Sequence, residues 1–407
     1  MLRSLFSGIT GLRQHQTLMD VVGNNIANVN TAGYKSSSVV FEDTLSQMMK
    51  AASAPAAGTG GVNPAQVGLG VQLGAISTNF AQGSAQNTGR ATDLMIQGDG
   101  FFVLQTGNTQ VYSRAGSFSF DTTGMLVNPE GYRVQGWSAG ATGVNTNTAP
   151  SDIVIPSGTL IPPKASSSVA LAGNIQPTAT VANDVLTLGQ TVYDAAGSAH
   201  PLTITLTGDG AGNYTVAVTD ANDPNAAFVD GGGTLAFDPT TGQLTGTPGV
   251  QDQVTLPDGT TQVTINFDAL TRFGGPKSAN VKSADGYAAG SLQGFQIGGD
   301  GSVTGTFSNG EKLVLAKVAL AGFNNPMGLE KAGNSTYRAT TNSGNPQVNP
   351  PGGGSVGTLL GGAIEMSNVD LAQEFTNLII AQRGFQANSR VITTSDQMLQ
   401  DLVDIKR

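Results

Sequence analysis

The chain has 407 residues, enough for about three domains and a sizeable buried core. Its 19 Lys and Arg against 28 Asp and Glu leave a net charge of −9, which argues against a nucleic-acid or anionic-lipid binder, since both need basic surface. Cysteine is absent and only His15 and His200 represent histidine, which removes disulfides and thiol chemistry and disfavours a His-based metal cluster or triad. Charged residues make up only 12 % of the chain, while 56 Gly and 18 Pro imply dense turns. This is the composition of a secreted or surface β-protein more than of a cytosolic enzyme.

At the N-terminus, Arg3 and Arg13 interrupt the apolar pattern and no small-residue cleavage site follows, so a cleavable signal peptide is not expected. The best apolar run, Leu313–Phe323, is broken by Lys317, so no transmembrane helix or direct membrane insertion is expected. Leu5, Ile9, Leu12, Met19 and Ile26 recur at 3-4 spacing, with Gln16 and Gly23 in the same register, and predict a first helix. Asn24, Asn25, Asn28, Asn30, Gly33 and Tyr34 follow in an Asn- and Gly-rich stretch suited to ending it. Residues 51–70 are rich in Ala, Gly and Pro and read as a linker or loosely tethered loop.

From Val71 to about Gly140 the period is two. Strand signals there alternate with the turn sequences Gly98-Asp99-Gly100, Asp121–Gly124 and Asn128–Gly131. Residues 146–280 continue as β but carry eleven Asp, no Glu and three basic residues, a net charge of −8. Residues 281–345 return to the first β style. At the C-terminus, Leu371, Phe375, Leu378, Phe385, Ile392, Leu399 and Val403, with Gln382, Ser389 and Asp396 in the same register, complete a second 3-4 series, a heptad seam of coiled-coil type.

The predicted fold class is therefore α+β, mostly β. Nested β-rich domains lie between long N- and C-terminal helices that pair as a coiled coil. The expected divisions are a terminal helical domain (1–35 and 365–407), connecting segments (36–70 and 346–364), an inner β-domain (71–145 and 281–345) and an outer acidic β-domain (146–280). No catalytic constellation emerges. Gly98-Asp99-Gly100 lacks the Lys-Ser/Thr and the helix of a phosphate loop, and Asp220–Asn225 lacks the Gly and Glu positions of a calcium loop. Arg90, Arg114 and Arg133 read as surface strand ion pairs, and Trp137 as core packing. No enzyme activity, cofactor or metal is expected.

These segments, in this order, resemble the axial rod and hook proteins of the bacterial flagellum. The resemblance rests on Asn24–Lys35, on Gly98–Phe102 through Tyr112–Phe118, on Gly131–Gly136, and on Val369–Leu371 with Gln382–Ser389. Asp285–Gly290, Phe307–Glu311 and Phe323–Leu329 are similar to the hook branch of that family. Residues 146–280 match it only in size and position. The resemblance implies an extracellular, self-assembling subunit of a curved hollow tube that passes torque from rod to filament. It also implies export without cleavage through the flagellar type III apparatus. The partners it implies are other copies of the chain, the distal rod protein, the hook cap protein and the hook–filament junction protein, with no nucleic acid. The seam residues named above would then be polymer interface, and the Asn/Gly/Tyr stretch a family motif. A distal rod subunit is the alternative within the family; a secreted β-sandwich enzyme or carbohydrate-binding adhesin is the alternative outside it.

Overall fold

The structure is a computed structural model. It describes all residues except 1, 56–57, 59, 141–142, 157, 177–183, 211, 222–233, 246–250, 257–258 and 406–407. It divides into two compact units. The first comprises Met1–Pro156, Gln296–Thr304 and Val314–Arg407, and the second Ser157–Phe295 and Gly305–Leu313.

In the first unit, helix α1 (Leu2–Ala27) opens the chain and α2 (Leu371–Asp404) closes it. At 1.5 Å per residue they run roughly 40 and 50 Å. Asp370 caps α2, its carboxylate accepting the N–H groups of Ala372 (2.9 Å) and Gln373 (3.3 Å), and Glu374 in the first turn complements the helix dipole. The two helices lie antiparallel. Gly8 faces Ile392, Gly11 faces Asn388, and Gly384 faces His15.

This contact includes Ile392 of the seam read on α2, but on α1 it uses a face beside the expected one. The seam predicted on α1 is only half-buried, and its Gln16 and Gly23 are exposed. The α1 residues that meet α2 lie one residue earlier in the repeat: Gly8, Gly11 and His15 face it, and Asn25 bonds Glu374. On α2 the most buried positions are Ala381 and Ser395. Small side chains let the backbones approach closely: a Cβ on Gly11 would stand 2.8 Å from Asn388 Nδ2. Glycine and serine carry no hydropathy signal, so the periodicity found the neighbouring face.

Strand β1 (Ser37–Asp43) pairs with β4 (Val71–Thr78), and between them β2 (Ser46–Lys50) pairs with β3 (Ala65–Gly68). Where composition suggested a loose linker, the chain therefore folds back as a hairpin. The body of this unit forms around Phe101–Thr106, in which Phe101, Phe102, Val103 and Leu104 are all buried, as expected of a strand covered on both faces. It pairs with Thr109–Ser113 on one side and with Arg133–Gly140 and Leu320–Gly322 on the other. Trp137 packs in this core and donates its indole N–H to Thr148 O at 2.7 Å. The returning chain adds Thr358–Gly361 beside Leu94–Gln97 and Ala363–Glu365 beside Ala85–Asn87.

The second unit holds two four-stranded sheets. One orders Gln251–Thr255, Gln262–Thr271, Ser168–Asn174 and Asn280–Ala284; the other orders Val185–Tyr193, Ala199–Gly208, Asn213–Asp220 and Thr234–Ala236. Val169, Leu171, Ile204, Leu206, Ile265 and Phe267 are among the residues packed in one shared core. In Ala199–Gly208, burial alternates along the strand, the pattern of a sheet with one face inward. Of the stretch weighed as a calcium loop, residues 222–225 lie outside the described residues.

Candidate assembly interface

The Asn-rich end of α1 is a hydrogen-bonded hub. Asn25 is 1 % exposed and uses its whole amide. Its Nδ2 donates to Ser37 O (2.8 Å) and Glu374 Oε1 (3.0 Å), while its Oδ1 accepts from Ser37 N (3.0 Å) and the Tyr34 hydroxyl (3.1 Å). The Tyr34 hydroxyl also lies 2.8 Å from Asn24 Oδ1. Burial first, and the nearby Glu374 carboxylate second, raise the Tyr34 pKa. Asn28 donates back to Asn24 O at 2.9 Å and accepts from the Thr31 hydroxyl, tightening the exit turn. Asn30 is exposed.

Gly33 then takes φ +69°, a conformation that favours glycine, and a Cβ there would overlap the backbone of Arg114 and Ala115. Its N–H donates to Glu365 O at 2.8 Å. This turn delivers Lys35 into the body, where it is fully buried. Lys35 Nζ donates to Glu365 Oε1 at 2.6 Å and to Ala81 O at 2.8 Å. Glu365 also accepts the Gly83 N–H and, at 3.5 Å, Arg114. Burial lowers the pKa of Lys35 and of Arg114, and the Glu365 carboxylate opposes both shifts.

Arg114 is thus a buried partner of Glu365, whereas the sequence suggested a surface pair. The acid lies 251 residues away and arrives only when the C-terminal segment returns. Arg90 and Arg133 do pair with nearby acids, Asp93 at 3.8 Å and Asp152 at 2.6 Å. The hub fastens both helices to the body, because residues 33–37 and 365–374 are stitched to each other and to residues 79–83.

Beyond the hub, the helices carry apolar side chains with no cover. Of the seam predicted from sequence, Leu5, Ile9, Leu12, Met19, Ile26, Leu378, Phe385, Ile392 and Leu399 are half-buried, whereas Leu371, Phe375 and Val403 are exposed. On α2 two exposed apolar stripes flank the contact with α1. Leu371, Phe375 and Ile379 lie on one side; Ile380, Val391, Met398 and Ile405 recur at 11- and 7-residue spacing on the other. The second stripe was missed because only one seam was sought on a helix that carries three. The β2–β3 hairpin adds Met48 and Met49, and Leu45 just before it, all largely exposed. Apolar side chains left uncovered in stripes along a helix are a candidate interaction surface.

Among the described residues, no three of His, Cys, Asp and Glu stand together as metal ligands, and no helix is long and apolar enough to cross a membrane. A body anchored to paired helices with uncovered apolar faces, and without a catalytic constellation among the described residues, suits a structural subunit. Four family models match the chain. "Flagella basal body rod protein" matches residues 5–35, "Flagellar hook protein FlgE/F/G D1 domain" 95–177, "Flagellar basal body protein FlaE D2 domain" 174–287 and "Flagellar basal body rod FlgEFG protein C-terminal" 360–405. The flagellar hook protein FlgE of Borreliella burgdorferi is 38 % identical and that of Treponema pallidum 40 % identical, each alignment covering 100 % of both chains. A crystal structure of the Helicobacter pylori hook protein FlgE2 shares the fold, with a TM-score of 0.52, 15 % identity, and coverage of 67 % of this chain and 98 % of that one. The chain belongs to the flagellar hook protein family. It is a structural subunit of the bacterial flagellum, not an enzyme, and its family assembles within the flagellar axis.

Proposed function

We propose that copies of this chain stack head to tail into a curved, flexible tube that passes torque from rod to filament. Contacts of this kind do not close and give an open helical polymer. In this reading α1 and α2 pair as a coiled coil lining the tube. The polymer interface comprises Leu5, Ile9, Leu12, Met19, Ile26, Leu371, Phe375, Leu378, Phe385, Ile392, Leu399 and Val403. The domains nest, with acidic residues 146–280 outermost, where contacts slide as the tube bends. The partners are the distal rod, hook cap and hook–filament junction proteins, and the subunit leaves the cell through the type III apparatus uncleaved.

The observation that carries this reading is the pair of uncovered apolar stripes flanking the intrachain helix contact. They equip one helix to meet neighbours on both sides. Electron microscopy of the concentrated protein tests it: supercoiled tubes are expected. Straight rods would indicate a drive-shaft subunit instead, and monodisperse globules would refute assembly.

A further inference from the structure

All the sulfur in this chain is thioether, carried by nine methionines with no cysteine beside them. An oxidant dissolved in water reaches a thioether only where the side chain is open to it. Met95 lies in the core of the first unit at 3 % exposure, whereas Met48, Met49, Met327 and Met398 are 59 %, 67 %, 67 % and 50 % exposed.

Three of these four open sulfurs stand on uncovered apolar surface. Met48 lies opposite Gln66 and Lys50 opposite Ala65, so Met49 is the extra residue of a bulge in β2. A bulge bends its strand and re-aims its side chains. Leu45 is exposed beside the two thioethers, and every described residue from Leu45 to Leu69 is exposed, so the hairpin gives this sulfur no cover of its own. Met398 follows Val391 by seven residues in the exposed stripe of α2 that runs on to Ile405. Met327 differs, standing on the short turn Pro326–Gly328 of the body.

Hydrogen peroxide transfers one oxygen to an open thioether. The sulfur lone pair attacks a peroxide oxygen, the O–O bond breaks as the S–O bond forms, and the departing oxygen takes the proton of the transferred one and leaves as water. The sulfur loses two electrons and the peroxide gains two. A flexible apolar side chain becomes a polar, chiral one, which disrupts methionine-bearing interfaces. Burying the new S–O group against an apolar neighbour without a donor is costly.

We propose that Met48, Met49 and Met398 form an oxidation site on the assembly surface, through which peroxide converts the free subunit to a form that polymerises poorly. The inference rests on the reading of this chain as a self-assembling hook subunit. Neighbouring copies cover the hairpin and the stripe in the tube, so the site is open only before assembly.

Peptide mass mapping of the free subunit in hydrogen peroxide should find added oxygen at Met48, Met49 and Met398 well before Met95. The oxidised subunit should show a critical concentration for assembly about tenfold higher. Methionine sulfoxide reductases should return it to the untreated value, which irreversible damage would not allow. The triple variant Met48→Leu, Met49→Leu, Met398→Leu should keep its critical concentration after peroxide, whereas Met327→Leu alone should stay as sensitive as the unaltered chain. In preformed tubes the three sulfurs should oxidise far more slowly than in the free subunit. Oxidised subunits that assemble at the unaltered critical concentration, or a triple variant still blocked by peroxide, would overturn the assignment. Tubes whose three sulfurs oxidise as fast as those of free subunits would overturn it as well. Each of these results leaves tube formation by the untreated protein intact; untreated protein that forms no tubes refutes the hook reading itself, and the proposal falls with it.

Discussion

Asn25 Nδ2 and Glu374 Oε1 meet at 3.0 Å across 349 residues of chain, joining the end of the first helix to the start of the last. The same amide holds the backbone of Ser37 in both directions. Asn25→Ala leaves the Ser37 N–H, the Ser37 carbonyl and the Glu374 carboxylate short of partners, at a cost of about 1–3 kcal/mol. Urea unfolding should show that loss, and hydrogen exchange should show faster opening of both helices. Exchange that speeds up in α1 alone would mean the residue merely caps its own helix.

The buried cluster of Lys35, Glu365 and Arg114 makes a sharper prediction. Glu365→Gln strands two buried cations, and removing one partner of such a pair costs about 3–5 kcal/mol. Lys35→Met should cost less, since Glu365 keeps the Gly83 N–H and Arg114. In a double-mutant cycle the two changes should couple strongly, with the double variant well above the sum of the singles in stability. Additive losses by thermal or urea unfolding would show that the 2.6 Å contact carries no specific energy.

Gly33→Ala forces a side chain into the left-handed region and against the backbone of Arg114 and Ala115. The strained conformation alone costs on the order of 1–3 kcal/mol, and the overlap adds to it. The expected result is a lower melting temperature and slower assembly from the same concentration. Gly89→Ala is the control, because its φ is also positive (+71°) but a Cβ there meets nothing within 4 Å. Equal effects at both sites would place the cost in the dihedral and not in the close approach to residues 114–115.

Acid should destabilise the protein in a defined window. Hydrogen bonds from the Thr123 hydroxyl and then the Met125 N–H hold Asp121 below the usual carboxylate range. The Thr240 N–H and Thr241 hydroxyl do the same for Asp238, as do the Ser302 hydroxyl and Lys317 for Asp300. A carboxylate with a lowered folded pKa adds stability that is complete above its unfolded value, about 4, and is lost as pH falls through the folded one. The melting temperature should therefore be nearly level from pH 7 to 5 and fall below pH 4. A midpoint unchanged down to pH 2.5 would show that these turns do not depend on their charges.

The strands were legible because their signal is chemical alternation between turn residues. Phe101–Val103, Leu202–Leu206 and Val263–Ile265 were identifiable from β-branched and aromatic runs bounded by Gly, Asp and Asn. The helices were legible in extent, and the seam read on α2 contains Ile392, which faces Gly8 of α1. Their mutual contact uses Gly8, Gly11 and Gly384, residues whose value is absent bulk, and a hydropathy pattern does not register it. The hub escaped for another reason. Lys35, Arg114 and Glu365 are each unremarkable charges locally, and their pairing depends on sequence separations of 330 and 251 residues. The exposed second stripe on α2 was visible in principle, as apolar residues at 7-residue spacing, but a heptad search stops at the first seam it completes.

In the proposed tube, the outward apolar faces of the terminal helices hold subunits together while adding little to the fold of one subunit. Phe375→Asp tests it most directly, since Phe375 is half exposed in the single chain. Burying the new carboxylate in an assembled interface would cost several kcal/mol, whereas in the monomer it meets water. Sedimentation of the variant, beside its thermal unfolding, should give an unchanged melting temperature and no tubes at concentrations where the unaltered protein polymerises fully. Tubes of normal yield from Phe375→Asp would contradict the claim.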